Sequence, residues 1–473
     1  MKENLVKKFF SFSIGGYINI IIGVFTAPIL TRLFVPKEYG IFSLIVSVVS
    51  MLIGLSCLGL DLGFMRFFYN EKEENRGRLL YETFLYPFFV NIFISILIFI
   101  FRKEMSIFIL GEIDNKLFII LIFYIFFNLL YRFAMLVIRM QQKAKLYSFF
   151  NMSIKFIEFT LILLLYKFYD KTYKTLILGT VFSLILNTIF AMFIERKMWS
   201  FKGKMDTNRI ELLKYSIPFT LTTVLSWTFS SCDRIFIKYF SSLEELGLYS
   251  GAFKIIALLM IIETGFQTFW APVAYEHYSK NPKDMNFFKN VINYFSVLVF
   301  ILGIGMLLTR NLLILFLGEK YYLSIYIMPM LIFIPIMQLL SIITEIGIVL
   351  KKKTKYFIYA SIFTSFINIL GNFLLIPKLG AKGAAISTGI AYIFLFFIKS
   401  YFSNKLMKIE YASKKIYISI FFILIYAMIL TFYNNIYLTI ILGIILECFL
   451  IFVYFSILKD LYLKYIKKWL FIK

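Results

Sequence analysis

Apolar runs of about 20 residues recur from one end of this chain to the other, and they limit its fold more than any other feature. An α-helix of that length crosses the hydrocarbon core of a bilayer at a rise of about 1.5 Å per residue. Of the 473 residues, 61% are hydrophobic and only 16% are charged, so a soluble domain could not bury the apolar surface. The sequence therefore predicts an all-α polytopic membrane protein.

We predict about fourteen transmembrane helices joined by short loops, with no segment long enough for a soluble domain. The N-terminus leads directly into the first run without a cleavage site of small residues, so we expect no removable signal peptide. The predicted spans are 9–33, 41–65, 79–101, 117–140, 148–168, 173–194, 211–237, 247–270, 287–309, 325–350, 356–376, 383–402, 414–434 and 437–458.

Basic residues are distributed unevenly between the two sides of the predicted membrane. With the N-terminus in the cytoplasm, 33 Lys and Arg fall in cytoplasmic segments and 13 in external segments. This bias is typical of helical membrane proteins, whose cytoplasmic loops are enriched in basic residues. We therefore expect both termini in the cytoplasm. We interpret the net charge of +24 as a topology signal and not as a nucleic-acid-binding surface.

The chain lacks the residue sets of common catalytic and metal centres. Its three cysteines, Cys57, Cys232 and Cys448, are far apart and form no CxxC pair. His277 is the only histidine, and no GxxxxGK[ST] loop occurs. We therefore expect no enzyme activity, no cofactor and no metal site.

Two segments of the chain repeat earlier ones at nearly constant offsets. At an offset of 207 residues, YGIFS (39–43) aligns with LGLYS (246–250). At an offset of 210, the basic turn 141–147 aligns with 351–357. Spans 1–6 and 7–12 are thus interpreted as two parallel copies of one six-helix unit around a central cleft. The predicted domains are 1–200, 201–408 and, as two appended helices, 409–473.

Polar residues within membrane spans are costly, and they mark candidate sites. On span 4, Asn128, Arg132 and Arg139 fall along one line, although Arg139 lies near enough to the membrane surface to snorkel. On span 5, Lys155 and Glu158 are three residues apart and could simply neutralise each other.

The second copy carries polar residues at matching positions but of different types. Glu345 on span 10 and Asn368 and Asn372 on span 11 fall on the equivalent faces. On span 8, Lys254 and Glu263 are about 180° apart, so an unkinked helix cannot turn both toward one cleft. We expect two lobes that line a shared, water-accessible cleft.

The seventh span carries a polar stripe along one helical face. Ser216, Thr220, Thr223, Trp227 and Ser230 lie on this face together with Arg234, which we interpret with Asp233 as a polar cap at the external end. Because lipid would not satisfy these groups, we expect the stripe to face protein or water.

Three motifs give the chain a family resemblance. They are YSIPFTLTTVLSWTFSSCDRIFIKYFSSLEELGLYSGAFK, TRLFVPKEYGIFSL (31–44) and IPKLGAKGAAISTGIA (376–391). The chain resembles polysaccharide repeat-unit flippases of the multidrug/oligosaccharidyl-lipid/polysaccharide exporter superfamily over essentially its whole length. The resemblance implies translocation of an undecaprenyl-(pyro)phosphate-linked oligosaccharide across the bacterial cytoplasmic membrane, coupled to an ion gradient or membrane potential. It implies that the protein is a monomer surrounded by membrane lipids and that polysaccharide assembly proteins are among its partners.

The resemblance gives the polar residues expected roles. We expect basic groups to hold phosphate, amides to hold sugars, and acidic groups to carry a coupling ion. The candidate substrate-binding residues are Arg132, Lys155, Lys254, Asn128, Asn368, Asn372, Arg139 and Arg234. The candidate ion-coupling residues are Glu345, Glu158 and Glu263.

Two alternative functions stay open on sequence grounds. The mixed signs of the charges within the spans also fit a cation-coupled multidrug exporter of the same superfamily. A polytopic glycan polymerase fits less well, because the external loops are short and the chain contains an internal repeat.

Overall fold

The computed structural model describes residues 18–19, 21–205, 207–408 and 414–461. The described part of the chain is almost entirely helical and contains no strand, which confirms the predicted all-α class. Its α-helices are α1 Ile21–Leu33, α2 Pro36–Cys57, α3 Leu60–Phe67, α4 Arg76–Ile100, α5 Arg102–Leu110, α6 Leu117–Met140, α7 Ala144–Phe168, α8 Tyr173–Ile194, α9 Arg209–Ser216, α10 Pro218–Phe240, α11 Leu243–Lys280, α12 Met285–Leu308, α13 Arg310–Ile314, α14 Met328–Leu331, α15 Phe333–Thr344, α16 Ile346–Leu350, α17 Lys355–Leu379, α18 Ala381–Met407, α19 Lys414–Phe432, α20 Ile436–Val453 and α21 Phe455–Leu461.

Within the described residues, twelve helical segments are long and apolar enough to cross a membrane. Two further predicted spans correspond to α1 and α10. The predicted first span includes residues 9–17 and 20, which lie outside the described residues, and its described part is the shorter apolar helix α1. Helix α10 has 23 residues, but its Ser, Thr, Asp and Arg content makes it too polar to count among these twelve segments.

Several predicted spans are built from more than one helix. The second span breaks between α2 and α3, where Leu58 and Gly59 both adopt left-handed backbone conformations. The tenth span consists of α14, α15 and α16, with the last break at Glu345. By contrast α11 runs for 38 residues, or about 57 Å at 1.5 Å per residue, well beyond the thickness of the hydrocarbon core.

The chain divides into two compact units, which are defined by contacts and not by repeats. Unit 1 includes Leu33–Ile235, and unit 2 includes Ala27–Arg32 together with the chain from Phe236. The short segment joins unit 2 through Arg32, whose guanidinium donates to the carbonyls of Leu315 and Phe316 at 3.2 and 3.3 Å. The domain limits predicted from the repeat stay predictions, because a sequence repeat and a set of contacts need not divide a chain alike.

The backbone repeats the offsets found in the sequence. At the turn after α6, Gln142 is left-handed and the amide of Lys143 donates to Ile138 O at 3.2 Å. At the turn after α16, Lys352 is left-handed and the amide of Lys353 donates to Ile348 O at 3.0 Å. Both turns have the bond pattern of a Schellman motif, and they lie 210 residues apart.

A second pair of equivalent contacts fastens one helix start in each unit. The Glu38 carboxylate accepts the amide hydrogen of Tyr173 at 2.6 Å, at the start of α8. The Glu245 carboxylate accepts that of Ala381 at 2.9 Å, at the start of α18. An acidic group is favourable there because the first amides of a helix lack internal partners. In each predicted six-helix copy, the beginning of the second span is thus tied to the beginning of the sixth.

A buried arginine attaches the C-terminal helices α19 and α20 to the rest of unit 2. Arg310 is fully buried and donates to Leu430 O at 2.6 Å and Tyr433 O at 2.9 Å, at the end of α19. It also reaches Asn434 and Thr439 at the turn into α20. Burial lowers the pKa of the Arg310 guanidinium below its ordinary value. The guanidinium donates hydrogen bonds to carbonyl groups that would otherwise lack partners at a helix end.

Candidate functional site

Arg132 on α6 is an exposed charged candidate in unit 1. Its Nε donates to Asp61 Oδ2 at 2.9 Å, and its Nη2 donates to the same oxygen. The Asp61 side chain is 7% exposed, whereas that of Arg132 is 45% exposed. The left-handed break before α3 precedes Asp61 by two residues and sets the direction of this helix. The buried carboxylate therefore holds one side of the guanidinium and leaves its other donors accessible.

Lys155 and Glu158 form an ion pair on α7. Lys155 Nζ lies 2.7 Å from Glu158 Oε2, and Thr180 on α8 donates to the other carboxylate oxygen at 2.8 Å. The glutamate is largely buried and the lysine is half-exposed. The structure thus shows the mutual neutralisation that the spacing had left open. Their predicted transport roles stay predictions.

The remaining candidates on α6 differ in their surroundings. Asn128 is half-buried, whereas Arg139 is exposed near the helix end. One residue beyond the helix and its cap, Gln142 donates to the Tyr69 hydroxyl at 3.2 Å. The three polar residues on α6 therefore share a helical face without forming one hydrogen-bonded cluster.

The polar stripe of α10 contacts protein within unit 1. Trp227 Nε1 donates to Ser47 O at 2.9 Å, and Arg234 Nε donates to Ser43 Oγ at 3.1 Å. Both partners lie on α2, where small residues permit close approach. Hydrogen bonds between helices therefore satisfy part of the stripe, whereas Ser216 Oγ and Thr220 Oγ1 are buried without a hydrogen-bond partner among the described residues. Arg234 also donates to the carbonyl of Ser230 within its own helix.

In unit 2 the predicted amides lie together in a buried cluster. Asn372 Nδ2 donates to Asn368 Oδ1, and Asn368 Nδ2 donates to Thr388 Oγ1 on α18, both at 3.2 Å. Ser387 donates to the carbonyl of Asn368 at 2.8 Å. Asn368 and Asn372 are fully buried. The cluster joins α17 to α18 with uncharged groups only.

Glu345 lies at the break between α15 and α16 and is paired with a cation. Lys399 Nζ on α18 donates to Glu345 Oε2 at 2.6 Å. Next to this pair, Ser400 donates to Thr344 Oγ1 at 3.0 Å, and the Gly347 amide donates to Ser403 Oγ at 3.1 Å. Polar groups of α18 thus compensate for backbone bonds lost where the tenth span breaks.

Helix α11 carries two charged candidates. Lys254 and Glu263 are both half-buried. Glu263 forms no ion pair with any residue that the structure describes. Among the acidic candidates, Glu158 and Glu345 are already neutralised, so Glu263 is the carboxyl group best placed to gain or lose a proton or bind a cation.

Several residues that complete these sites were not among the sequence candidates. Asp61, Thr180, Thr388 and Lys399 each lie far along the chain from the residue they contact. Of these, only Asp61 and Lys399 carry a sequence signal, because each is a charge in or beside an apolar run. No cluster of three potential metal ligands occurs among the described residues.

Comparisons with known proteins agree with this architecture. The sequence model of the family described as polysaccharide biosynthesis protein matches residues 29–326, more than half of the chain. Among curated proteins, no sequence matches the chain.

Two solved structures show the shared fold. The lipid II flippase MurJ, in an inward closed conformation, has a TM-score of 0.69 and 16% identity, covering 96% of this chain and 99% of that one. A multidrug resistance MATE family transporter of the MOP superfamily, in an inward-facing conformation, has a TM-score of 0.64 and 13% identity, covering 84% of this chain and 96% of the other. At these identities the likeness concerns the fold. Together with the family match, it establishes that this multi-pass membrane chain belongs to the polysaccharide biosynthesis protein family.

Proposed function

We propose that the chain is a flippase that moves an undecaprenyl-(pyro)phosphate-linked oligosaccharide from the inner to the outer leaflet of the bacterial cytoplasmic membrane. Its product would supply surface polysaccharide synthesis. The observation that carries the proposal is Arg132, a half-exposed guanidinium held by a buried carboxylate in an apolar helix. A phosphate group is the ligand that such a planar set of donors binds best.

The energetic cost of moving the substrate's headgroup through hydrocarbon requires a transport protein. A sugar headgroup and its phosphates would lose their hydration in hydrocarbon, at a cost that makes unaided crossing negligible. The prenyl chain needs no such shelter. Family membership supports a glycan substrate, and the fold supports transport by alternating access.

Ion coupling is the second part of the proposal. Glu263 is the preferred carrier, because the structure pairs Glu158 with Lys155 and Glu345 with Lys399. A carboxyl group without a cationic partner in a membrane helix changes its charge more readily than a paired one. Glu263→Gln should therefore abolish the dependence of transport on the ion gradient.

The test of substrate transport uses cells that depend on this chain for surface glycan. Arg132→Ala should lower the rate of glycan display by roughly 10- to 100-fold, the range expected for a lost charge-assisted hydrogen bond. Lipid-linked intermediates should accumulate in parallel. Arg102→Ala is the matched control, since Arg102 lies over the Phe99 ring and forms no ion pair with the described residues. Normal display at normal expression of the Arg132 variant would remove this residue from the mechanism.

A multidrug exporter is the alternative that one observation favours. The half-buried carboxylate of Glu263, which forms no ion pair with the described residues, would suit an organic cation, and MATE transporters share the fold. Dye efflux by cells that express the chain, with unchanged glycan display on its deletion, would support this alternative and exclude the flippase.

A further inference from the structure

Two arginines of unit 1 meet on a single buried carboxylate. Arg78 Nη2, near the start of α4, lies 2.8 Å from Glu82 Oε1, and Arg209 Nη2, at the start of α9, lies 2.6 Å from the same oxygen. The Glu82 side chain is 2% exposed, whereas Arg78 and Arg209 are 35% and 55% exposed. The cluster therefore has two cations for one anion and presents its positive side to the surroundings.

The chain around Arg209 is fixed by further hydrogen bonds. The Glu71 carboxylate accepts the amide of Thr207 at 2.8 Å and its hydroxyl at 2.5 Å. Asn75 Oδ1 accepts the amide of Lys204 at 3.1 Å. Both acceptors belong to the segment between α3 and α4. The connection that leads into α9 is therefore held against this segment, and the second guanidinium is positioned before any ligand arrives.

Most donors of the two guanidinium groups remain available. Each guanidinium has five N–H groups, and neither arginine makes a second hydrogen bond to the described residues. Arg78 also lies 4.6 Å from the centre of the Tyr81 ring, which limits its freedom to rotate. Two neighbouring guanidinium groups with free N–H donors match the oxygen atoms of a phosphate ester.

The surroundings are those of a membrane surface. Lys202, Lys204 and Lys214 are exposed near Arg209 in sequence, and so is Ile210, which follows Arg209 directly. Exposed basic groups beside an exposed aliphatic side chain are typical of the headgroup region, where phosphate and acyl chain meet. On the predicted topology, this is the cytoplasmic side.

We propose that Arg78 and Arg209, held together by Glu82, form a binding site for the phosphate of a lipid headgroup. An anionic phospholipid and a polyprenyl phosphate offer the same chemistry. The site does not depend on the proposed transport function, because a phospholipid can occupy it whatever the chain transports.

Native mass spectrometry of the purified full chain in detergent tests the site. The probes are dioleoyl phosphatidylglycerol, dioleoyl phosphatidylcholine and a polyprenyl monophosphate. Arg209→Gln and Arg78→Gln should each weaken phosphatidylglycerol binding by about tenfold, as expected for one lost charge-assisted contact. Arg196→Gln is the matched control: Arg196 is exposed in the same connection and contacts only the Phe193 ring, so its loss should change binding by less than about twofold.

Glu82→Gln separates a binding site from a purely structural triad. Removal of the competing anion should maintain or raise the affinity for phosphatidylglycerol. Wild-type affinity in both arginine variants, or an equal loss in Arg196→Gln, would overturn the proposal. If Arg209→Gln does not fold, the decision rests on Arg78→Gln.

Competition between the probes identifies the source of the phosphate. Displacement of phosphatidylglycerol by the polyprenyl phosphate would assign the site to the carrier lipid, and selective phosphatidylglycerol binding would assign it to the bilayer. Binding of neither lipid above phosphatidylcholine would refute the site. Glycan display is measured separately, so a loss of lipid binding with normal display leaves the flippase proposal intact.

Discussion

The same place in the two repeats is charged in unit 1 and uncharged in unit 2. On α7, Glu158 is paired with Lys155 and accepts a hydrogen bond from Thr180. At an offset of 210 residues, Asn368 on α17 is bonded to Thr388, and Ser365 replaces the lysine. In each predicted six-helix copy, a threonine joins the fifth span to the sixth. The comparison shows that the geometry of the contact is retained while its electrostatics have diverged.

Burial explains why the two solutions differ. The lysine of unit 1 is half-exposed, so its ammonium is not enclosed by protein while it neutralises Glu158. Asn368 and Asn372 are fully buried, and an ion pair there would lose its hydration without full compensation. The same helical contact can carry charge only where one partner reaches the surface.

Asn368→Asp should have the largest effect, because it places a carboxylate in the uncharged cluster without a cation. We expect a loss of about 3–5 kcal/mol in the free energy of unfolding, the range for an uncompensated buried charge. The melting temperature of the purified chain measures this loss. Asn281→Asp makes the same chemical change at an exposed position and should have little effect. Equal melting temperatures of the two variants would show that the cluster tolerates charge.

Replacing the charged contact of unit 1 by the uncharged residues found in unit 2 should lower the free energy of unfolding by a smaller amount. Lys155→Ser removes the cation paired with the largely buried Glu158, and we expect a loss of about 1 kcal/mol in the free energy of unfolding. Adding Glu158→Asn should restore part of this loss, because the negative charge is then removed as well. A double-mutant cycle on the melting temperatures gives the coupling. Strictly additive losses would contradict a functional pair.

The helix-start contacts should respond equally in the two units. Glu38→Gln and Glu245→Gln each weaken a carboxylate that accepts the first amides of a helix, with an expected cost of about 0.5–1 kcal/mol. Thermal unfolding of both variants measures the effect. A clear difference between the two would show that the repeat has diverged here as well.

A small acid-dependent contribution to stability should come from Asp114 in unit 1. Burial raises the pKa of Asp114, but hydrogen bonds from Lys174, the Lys116 amide and Tyr173 outweigh it, so the pKa is lowered overall. The resulting stability is present above the ordinary carboxyl pKa and is lost as the pH falls through the lower folded-state value. Asp114→Asn should therefore lower the melting temperature slightly at neutral pH and converge with the wild type in acid. A constant difference across pH would exclude the carboxylate as its cause.

Much of the fold follows from local sequence, because span length, hydropathy and turn chemistry are local properties. The apolar runs predict the helices, and the offsets of 207 and 210 residues predict turns that the backbone repeats at Gln142 and Lys352. The polar stripe of α10 likewise predicts contact with protein or water, since no other surroundings would satisfy it. The same reasoning places Arg132 and Glu345 among the candidates without naming their partners.

Only the tertiary structure decided which charges neutralise each other and which compact unit each helix joins. Arg132 and Asp61 lie 71 residues apart, and Glu345 and Lys399 lie 54 apart. No periodicity within one helix selects such partners, because they depend on how neighbouring helices rotate and pack. The contact of α10 with α2 has the same origin: its residues up to Ile235 belong to unit 1, where they form hydrogen bonds with α2, although the helix begins the second predicted copy.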